Sequence, residues 1–134
     1  MELIHAETTG PLIDLFFDVH RSLGHGFLER VYSNTMVVAG KRIGFDIKQD
    51  VPIQVRFEET VVGKYQADLL VNHAVIIELK VCPTLLPEHE AQLLNYLKAT
   101  HYEVGLLLNF GEKQRYKRMV FENAPKGNLN WINR

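Results

Sequence analysis

Three charged side chains in the middle of the chain stand where a core would be apolar. Ala67-Asp68-Leu69-Leu70-Val71 and Val75-Ile76-Ile77-Glu78-Leu79-Lys80 are rich in Val, Ile and Leu, yet the first run carries Asp68 and the second Glu78 and Lys80. Side chains two apart on a strand share a face, so Glu78 and Lys80 point the same way. Charges in such a place are costly unless they are paired or hold a metal. Asn72-His73-Ala74 is a polar break of hairpin length, which makes the two runs adjacent antiparallel strands. Their register decides whether Asp68 joins the other two. A three-residue loop pairs Val71 with Val75 and sets Asp68 opposite Glu78, on the same face and roughly 5 Å away. A two-residue loop, Asn72-His73, sets Asp68 opposite Ile77 and turns it to the other side. We take the three-residue loop, because it unites the charges. Two carboxylates so close repel, and one keeps its proton unless a cation sits between them. A hard divalent ion such as Mg²⁺ suits that place, since it takes carboxylate oxygens and keeps several waters. The competing reading is a surface Asp beside a Glu and Lys that simply pair.

The surrounding pattern supplies the elements that must position these groups. Leu12, Leu15, Phe16, Val19 and Leu23 recur at helical spacing, with Thr9 as cap, Pro11 in the first turn and Gly24 as stop. A second helix is expected from about Gly26 to Ala39, stopped by Gly40. On it Leu28, Val31 and Thr35 form one packing stripe, and Glu29, Tyr32 and Met36 an adjacent one. Val51, Ile53, Val55 and Phe57 alternate in a half-buried strand that starts near Pro52. Glu58-Glu59-Thr60 turns the chain into a second strand to Val71, with Gly63 a bulge or a close approach, and Val75 to Val81 completes a meander. Pro87 opens a helix reaching about Thr100, with Gln92 and Tyr96 on one face, His89 one turn before them, and Leu93, Leu94 and Leu97 packing beneath. Val104 to Phe110 is a continuous apolar run after a helix, which reads as a buried strand added parallel to the Glu78 strand by a right-handed crossover. The fold class is α/β: a mixed sheet with an antiparallel meander and one parallel strand, flanked by helices.

With 134 residues the chain is expected to be a single domain spanning 1–134, with loose tails at about 1–9 and 123–134, where Trp131-Ile132 could dock on the body or a partner. A net charge of −1 excludes a generally basic nucleic-acid binder, so affinity for phosphate must come from a local patch or a metal. The densest basic stretch is Lys113, Arg115, Lys117 and Arg118, a solvated strand face or a set of phosphate contacts. A protein partner or a homodimer could supply the remainder. The one cysteine, Cys82, cannot form an internal disulfide and reads as a buried structural thiol. No apolar stretch approaches the roughly 20 residues that span a bilayer, and no leader pattern opens the chain, so no membrane and a cytoplasmic location are expected. His20 and His25 lie across a Gly-containing break without metal-binding spacing and read as hydrogen-bonded structural residues.

Asp68 followed by Glu78-Leu79-Lys80 resembles the metal-binding core of the PD-(D/E)xK nucleases. Gln92-Leu93-Leu94-Asn95-Tyr96 resembles the Gln-x-x-x-Tyr helix of their RecB-like branch, and Gly26-Phe27-Leu28-Glu29-Arg30-Val31-Tyr32 the GxxExxY signature of one small family of the superfamily. Thr35-Met36 replaces the expected Ala-Leu, and His25 a common Pro. The resemblance implies a restriction-endonuclease-like core and a metal-dependent nuclease acting on DNA before RNA, using Mg²⁺ or Mn²⁺. It implies that Asp68, Glu78 and the backbone carbonyl of Leu79 hold the metal and that Lys80 positions the attacking water. It further implies that Glu29 serves the outer shell or a second ion, and that Gln92 and Tyr96 orient the phosphate. The alternative is a non-catalytic nucleic-acid-binding or regulatory protein that retains the fold.

Overall fold

The central hairpin closes through the three-residue loop. In the computed structural model, which describes residues 4–126, β2 (Thr60–Val71) and β3 (Val75–Lys80) are antiparallel with Val71 opposite Val75. Asn72 and His73 adopt positive φ, 52° and 54°, and Ala74 N–H donates to Val71 O at 3.0 Å. Asn72 also exchanges two hydrogen bonds with the Asp46 backbone, its N–H donating at 2.7 Å and its Oδ1 accepting at 2.9 Å. That ties the loop to the start of β1 (Ile47–Phe57), the edge strand of the meander.

Five strands lie in the order β1-β2-β3-β4-β5, with β4 (Val104–Asn109) parallel to β3 and β5 (Arg115–Val120) antiparallel to β4. Helices α1 (Ala6–Leu23) and α2 (Glu29–Arg42) cover one face, packing Leu12, Phe16, Tyr32 and Met36 on Leu69, Ile77, Leu79, Leu106 and Leu108. Helix α3 (Pro87–Lys98) covers the other, packing Leu93, Tyr96 and Leu97 on Ile53, Leu70, Ile76 and Leu107. Strands β3 and β4 are therefore buried on both faces, the physical reason that their sequences read as continuous apolar runs. The fold is restriction-endonuclease-like: an antiparallel meander extended by one parallel pair, flanked by three helices.

Local differences from the sequence pattern have physical causes. Helix α1 begins at Ala6 rather than Thr9; His5 O accepts from Thr8 and Thr9 N–H, both threonines are buried, and Pro11 lies inside the helix. Helix α2 begins at Glu29 rather than Gly26, and Leu28, extended at φ −69° and ψ 155°, is 81% exposed. The expected Leu28-Val31-Thr35 stripe is thus not the packing face; the adjacent stripe packs through Tyr32 and Met36, joined by Ser33 and Gly40, while Glu29 stays exposed, and the Tyr32 ring stacks 4.6 Å from Phe110. Gly40 does not stop the helix. It lets Ile47 pack against the backbone where a Cβ would overlap the Ile47 Cδ1, and Gly44, at φ 96°, makes the turn. Strand β1 starts at Ile47, so Pro52 lies within it, tolerated at a sheet edge. The bulge expected at Gly63 is present, because the register shifts between Val55, opposite Gly63, and Arg56, opposite Val61. Asn123 to Lys126 is fastened rather than loose: Lys126 Nζ, in a buried residue, donates to Thr100 O, Tyr102 O and Asn123 Oδ1. Trp131 and Ile132 lie outside the described residues.

Candidate functional site

The β2–β3 ladder stops at Leu69 opposite Ile77, and the next pair is joined by side chains instead of backbone. Asp68 N–H donates to Glu78 Oε1 at 3.1 Å, and Leu79 N–H donates to Asp68 Oδ2 at 2.7 Å. The two carboxylates thereby satisfy amides that the parting strands leave without ladder partners, and each keeps a second oxygen for other use. Strand alternation also breaks here. Ile47 and Leu69 pack under α1 and α2, whereas Val51, Ile53 and Ala67, an even number of residues away on the same strands, pack toward α3. The switch falls at Asp50, whose φ is 56°, and at Asp68 between the paired residues Gln49–Leu69 and Val51–Ala67.

Burial makes this pair electrostatically unusual. Glu78 is 4% exposed, and loss of water followed by repulsion from Asp68 pushes its carboxyl up to about 8, against partial relief from the Asp68 N–H and Lys80. Asp68 is raised as well, first by burial, with the Leu79 N–H and Lys80 opposing. Burial and mutual repulsion thus favour the neutral form of Glu78 near neutral pH.

The neighbours arrive from both sides of the sheet. From α2, Glu29 is exposed as a residue but its carboxyl faces a pocket of about 210 Å³ shared with Arg30, Ser33, Asp50, Asp68 and Leu79. Partial desolvation and then Asp68 raise its pKa, while Lys80 lowers it. From α3, Gln92 Oε1 lies 3.5 Å from Lys80 Nζ, a long contact, and the buried Tyr96 is pushed up to about 12 by desolvation, then by Glu78 and Asp68. Glu29 and the Gln92–Tyr96 face therefore meet across the carboxylate pair without lining one pocket.

Other candidates are placed elsewhere. His20 Nε2 bonds Gly111 O at 2.7 Å and stacks on Phe110, and His89 Nδ1 accepts from Leu86 N–H at 3.0 Å to start α3; both are structural. Cys82 is half-buried, its Sγ 3.3 Å from Thr84 O. The basic stretch divides across β5. Lys113, Arg115 and Lys117 line a groove of about 530 Å³, where Lys117 pairs with Glu90 at 2.7 Å, whereas Arg118 Nη2 reaches the Ile4 carbonyl ahead of α1.

Sequence reasoning missed two parts of this region. Asp50 and Arg30 form a bidentate ion pair, Nη1–Oδ1 3.2 Å and Nη2–Oδ2 2.9 Å, beside Asp68 and Glu29. Asn109, fully buried at the end of β4, accepts from the N–H groups of Cys82 and Gly111 and donates to Cys82 O, fastening the chain just beyond Lys80. A lone Asn closing an apolar run was the available signal for Asn109; the Arg30–Asp50 pair, long-range in sequence, left none.

The donor set is all oxygen and sparse. Among the described residues no group of three His, Cys, Asp or Glu side chains is disposed as a metal cage. That fits a cation that takes one or two carboxylates and keeps its waters, as Mg²⁺ does, better than one needing an all-protein shell. Two adjacent carboxylates whose pKa values are raised first by burial, with Lys80 only partly offsetting it, are a donor pair of the right chemistry.

Compared with known families, residues 6–119 match the family model of the PD-(D/E)XK nuclease superfamily. The chain belongs to that superfamily. Asp68 on β2 and Glu78 and Lys80 on β3 lie within the matched residues. No curated protein and no solved structure matches the chain. Among the described residues, no helix is long and apolar enough to cross a membrane.

Proposed function

We propose that the protein is a metal-dependent nuclease that hydrolyses phosphodiester bonds, DNA before RNA, and that it belongs to the GxxExxY branch of its superfamily. The observation that carries this reading is the buried Asp68–Glu78 pair, hydrogen-bonded across the opening of β2 and β3 with Lys80 beside it. Asp68, Glu78 and the Leu79 carbonyl would hold Mg²⁺ or Mn²⁺, with Glu29 serving its waters or a second ion. A bound ion supplies a Lewis acid for the phosphate oxygens and lowers the pKa of a coordinated water. Lys80, steered by Gln92 Oε1, holds and orients the attacking water and opposes charge developing on the phosphate. Gln92 and Tyr96 position the phosphate from the α3 side, and Lys113, Arg115, Lys117 and Arg118 contribute more distant backbone contacts. Tyr96, with its pKa about 12, remains a hydroxyl donor throughout the physiological range. The single domain of 1–134 and its cytoplasmic location belong to the same proposal.

The test is incubation of the purified protein with end-labelled single- and double-stranded DNA and RNA in Mg²⁺, Mn²⁺ or chelator. Cleavage should require the metal, favour DNA, and fall at least a hundredfold in Asp68→Asn, Glu78→Gln and Lys80→Ala, on the order of one lost transition-state contact. Binding without cleavage in either metal would instead make the protein a non-catalytic nucleic-acid-binding or regulatory member.

A further inference from the structure

The pocket beside the carboxylate pair contains one basic side chain among its lining residues, and its geometry leaves it available. Arg30 follows Glu29 at the start of α2 and shares the pocket with Glu29, Asp50 and Asp68. Its side chain is 57% exposed, and among the described residues its only hydrogen-bond partner is Asp50. Asp50 takes the end of the guanidinium, one oxygen on Nη1 and one on Nη2. A guanidinium has five N–H donors in a planar fork, so this grip leaves the Nε–H edge and the second Nη2 hydrogen open for another bidentate acceptor. Asp50 comes to this position because the chain takes φ 56° there, at the point where β1 switches its side chains from one sheet face to the other.

We propose that Arg30 is a substrate-phosphate-binding residue of this site, its guanidinium held toward the pocket by Asp50 with the free edge presented to a phosphate of the nucleic-acid backbone. The assignment rests on the nuclease reading. It resolves a conflict that the carboxylates create, since a pocket lined by Glu29, Asp50 and Asp68 would repel a polyanion. A phosphodiester presents two non-bridging oxygens along one edge of its tetrahedron, and that edge matches the open guanidinium fork as a lysine's ammonium cannot. Asp50 fixes the side-chain rotamer in advance, so less freedom is lost when the phosphate binds.

The experiment measures binding of a fluorescein-labelled oligonucleotide by anisotropy across a salt series, in Ca²⁺, and cleavage of the same oligonucleotide in Mg²⁺ and Mn²⁺. Wild type, Arg30→Ala, Arg30→Lys and Asp50→Asn are compared, with melting temperatures as a control for folding. Arg30→Ala should weaken binding roughly tenfold and flatten the dependence of log affinity on log salt by about the contribution of one phosphate contact. Arg30→Lys should restore the salt slope but only part of the affinity. Asp50→Asn, which leaves the arginine but loosens the grip that orients it, should keep the salt slope and weaken binding by less than Arg30→Ala does. A merely structural ion pair predicts otherwise: both Arg30→Ala and Asp50→Asn would lower the melting temperature and neither would change the salt slope. An unchanged slope in Arg30→Ala, or weakening by Asp50→Asn equal to that by Arg30→Ala, overturns the assignment. If wild type cleaves and Arg30→Ala binds and cleaves like it, this inference fails and the nuclease reading stands. If binding depends on Arg30 but nothing is cleaved, the nuclease reading fails and Arg30 stands as a phosphate contact. Wild type that neither binds nor cleaves overturns both.

Discussion

At the scale of single residues, Glu78 is the group under most stress. Its ordinary pKa is 4.5 and burial with Asp68 nearby raises it to about 8 in the folded protein. Between those values the unfolded chain has released the proton that the folded chain still holds. Stability therefore falls as pH rises through that window, and the loss is complete above about 8. Glu78→Gln keeps an oxygen to accept the Asp68 N–H while removing the charge. Without metal it should raise stability at pH 8 by on the order of 2 kcal/mol, and by almost nothing at pH 4.5, as read from urea unfolding at the two values. Asp68→Asn should be neutral or stabilising by roughly 1 kcal/mol under the same conditions. Sequence located this pair because a period of two is a local fact and, of the two loop lengths left open, only the three-residue loop brings Asp68 opposite Glu78. The Arg30–Asp50 pair was illegible because it depends on how far α2 leans over β1, which no local pattern encodes.

At the scale of elements, the site depends on how β3 ends. On one side Asp68 and Glu78 replace the ladder; on the other Asn109 does so, after Phe110 N–H donates to Lys80 O at 2.8 Å. Gly111 is pressed so closely on Cys82 that a Cβ would overlap its carbonyl oxygen. Asn109→Ala should strand the Cys82 and Gly111 N–H groups and cost about 2–4 kcal/mol, measured by chemical denaturation. Strand order, the bulge at Gly63 and the parallel addition of β4 were legible, because each follows from alternation, a glycine or an apolar run beyond a helix. On helix α2 the Tyr32–Met36 stripe was legible, but the helix start and the Leu28-Val31-Thr35 stripe were misread. Phe27 and Leu28 extend an apolar pattern that belongs to a surface loop, while the buried stripe is set by Tyr32 meeting Phe110 and by Gly40 meeting Ile47.

At the scale of the whole molecule, net charge is nearly zero and the acidic groups of the site are concentrated at one opening of the sheet. On the proposed function a cation would complete this site: its binding would relieve the repulsion between the carboxylates and would have to displace the proton that burial leaves on Glu78. Metal affinity should accordingly rise as pH increases toward about 8 and level off above it. The most direct measurement is the thermal melting of wild type, Asp68→Asn, Glu78→Gln and Lys80→Ala across a Mg²⁺ or Mn²⁺ titration at pH 7.5. An ion bound only by the folded state stabilises by about 2.7 kcal/mol at a hundred times its dissociation constant. Wild type and Lys80→Ala should show that gain, while Asp68→Asn and Glu78→Gln lose most of it. An equal metal response in wild type and Asp68→Asn would contradict the account, because Asp68 would then hold no ion.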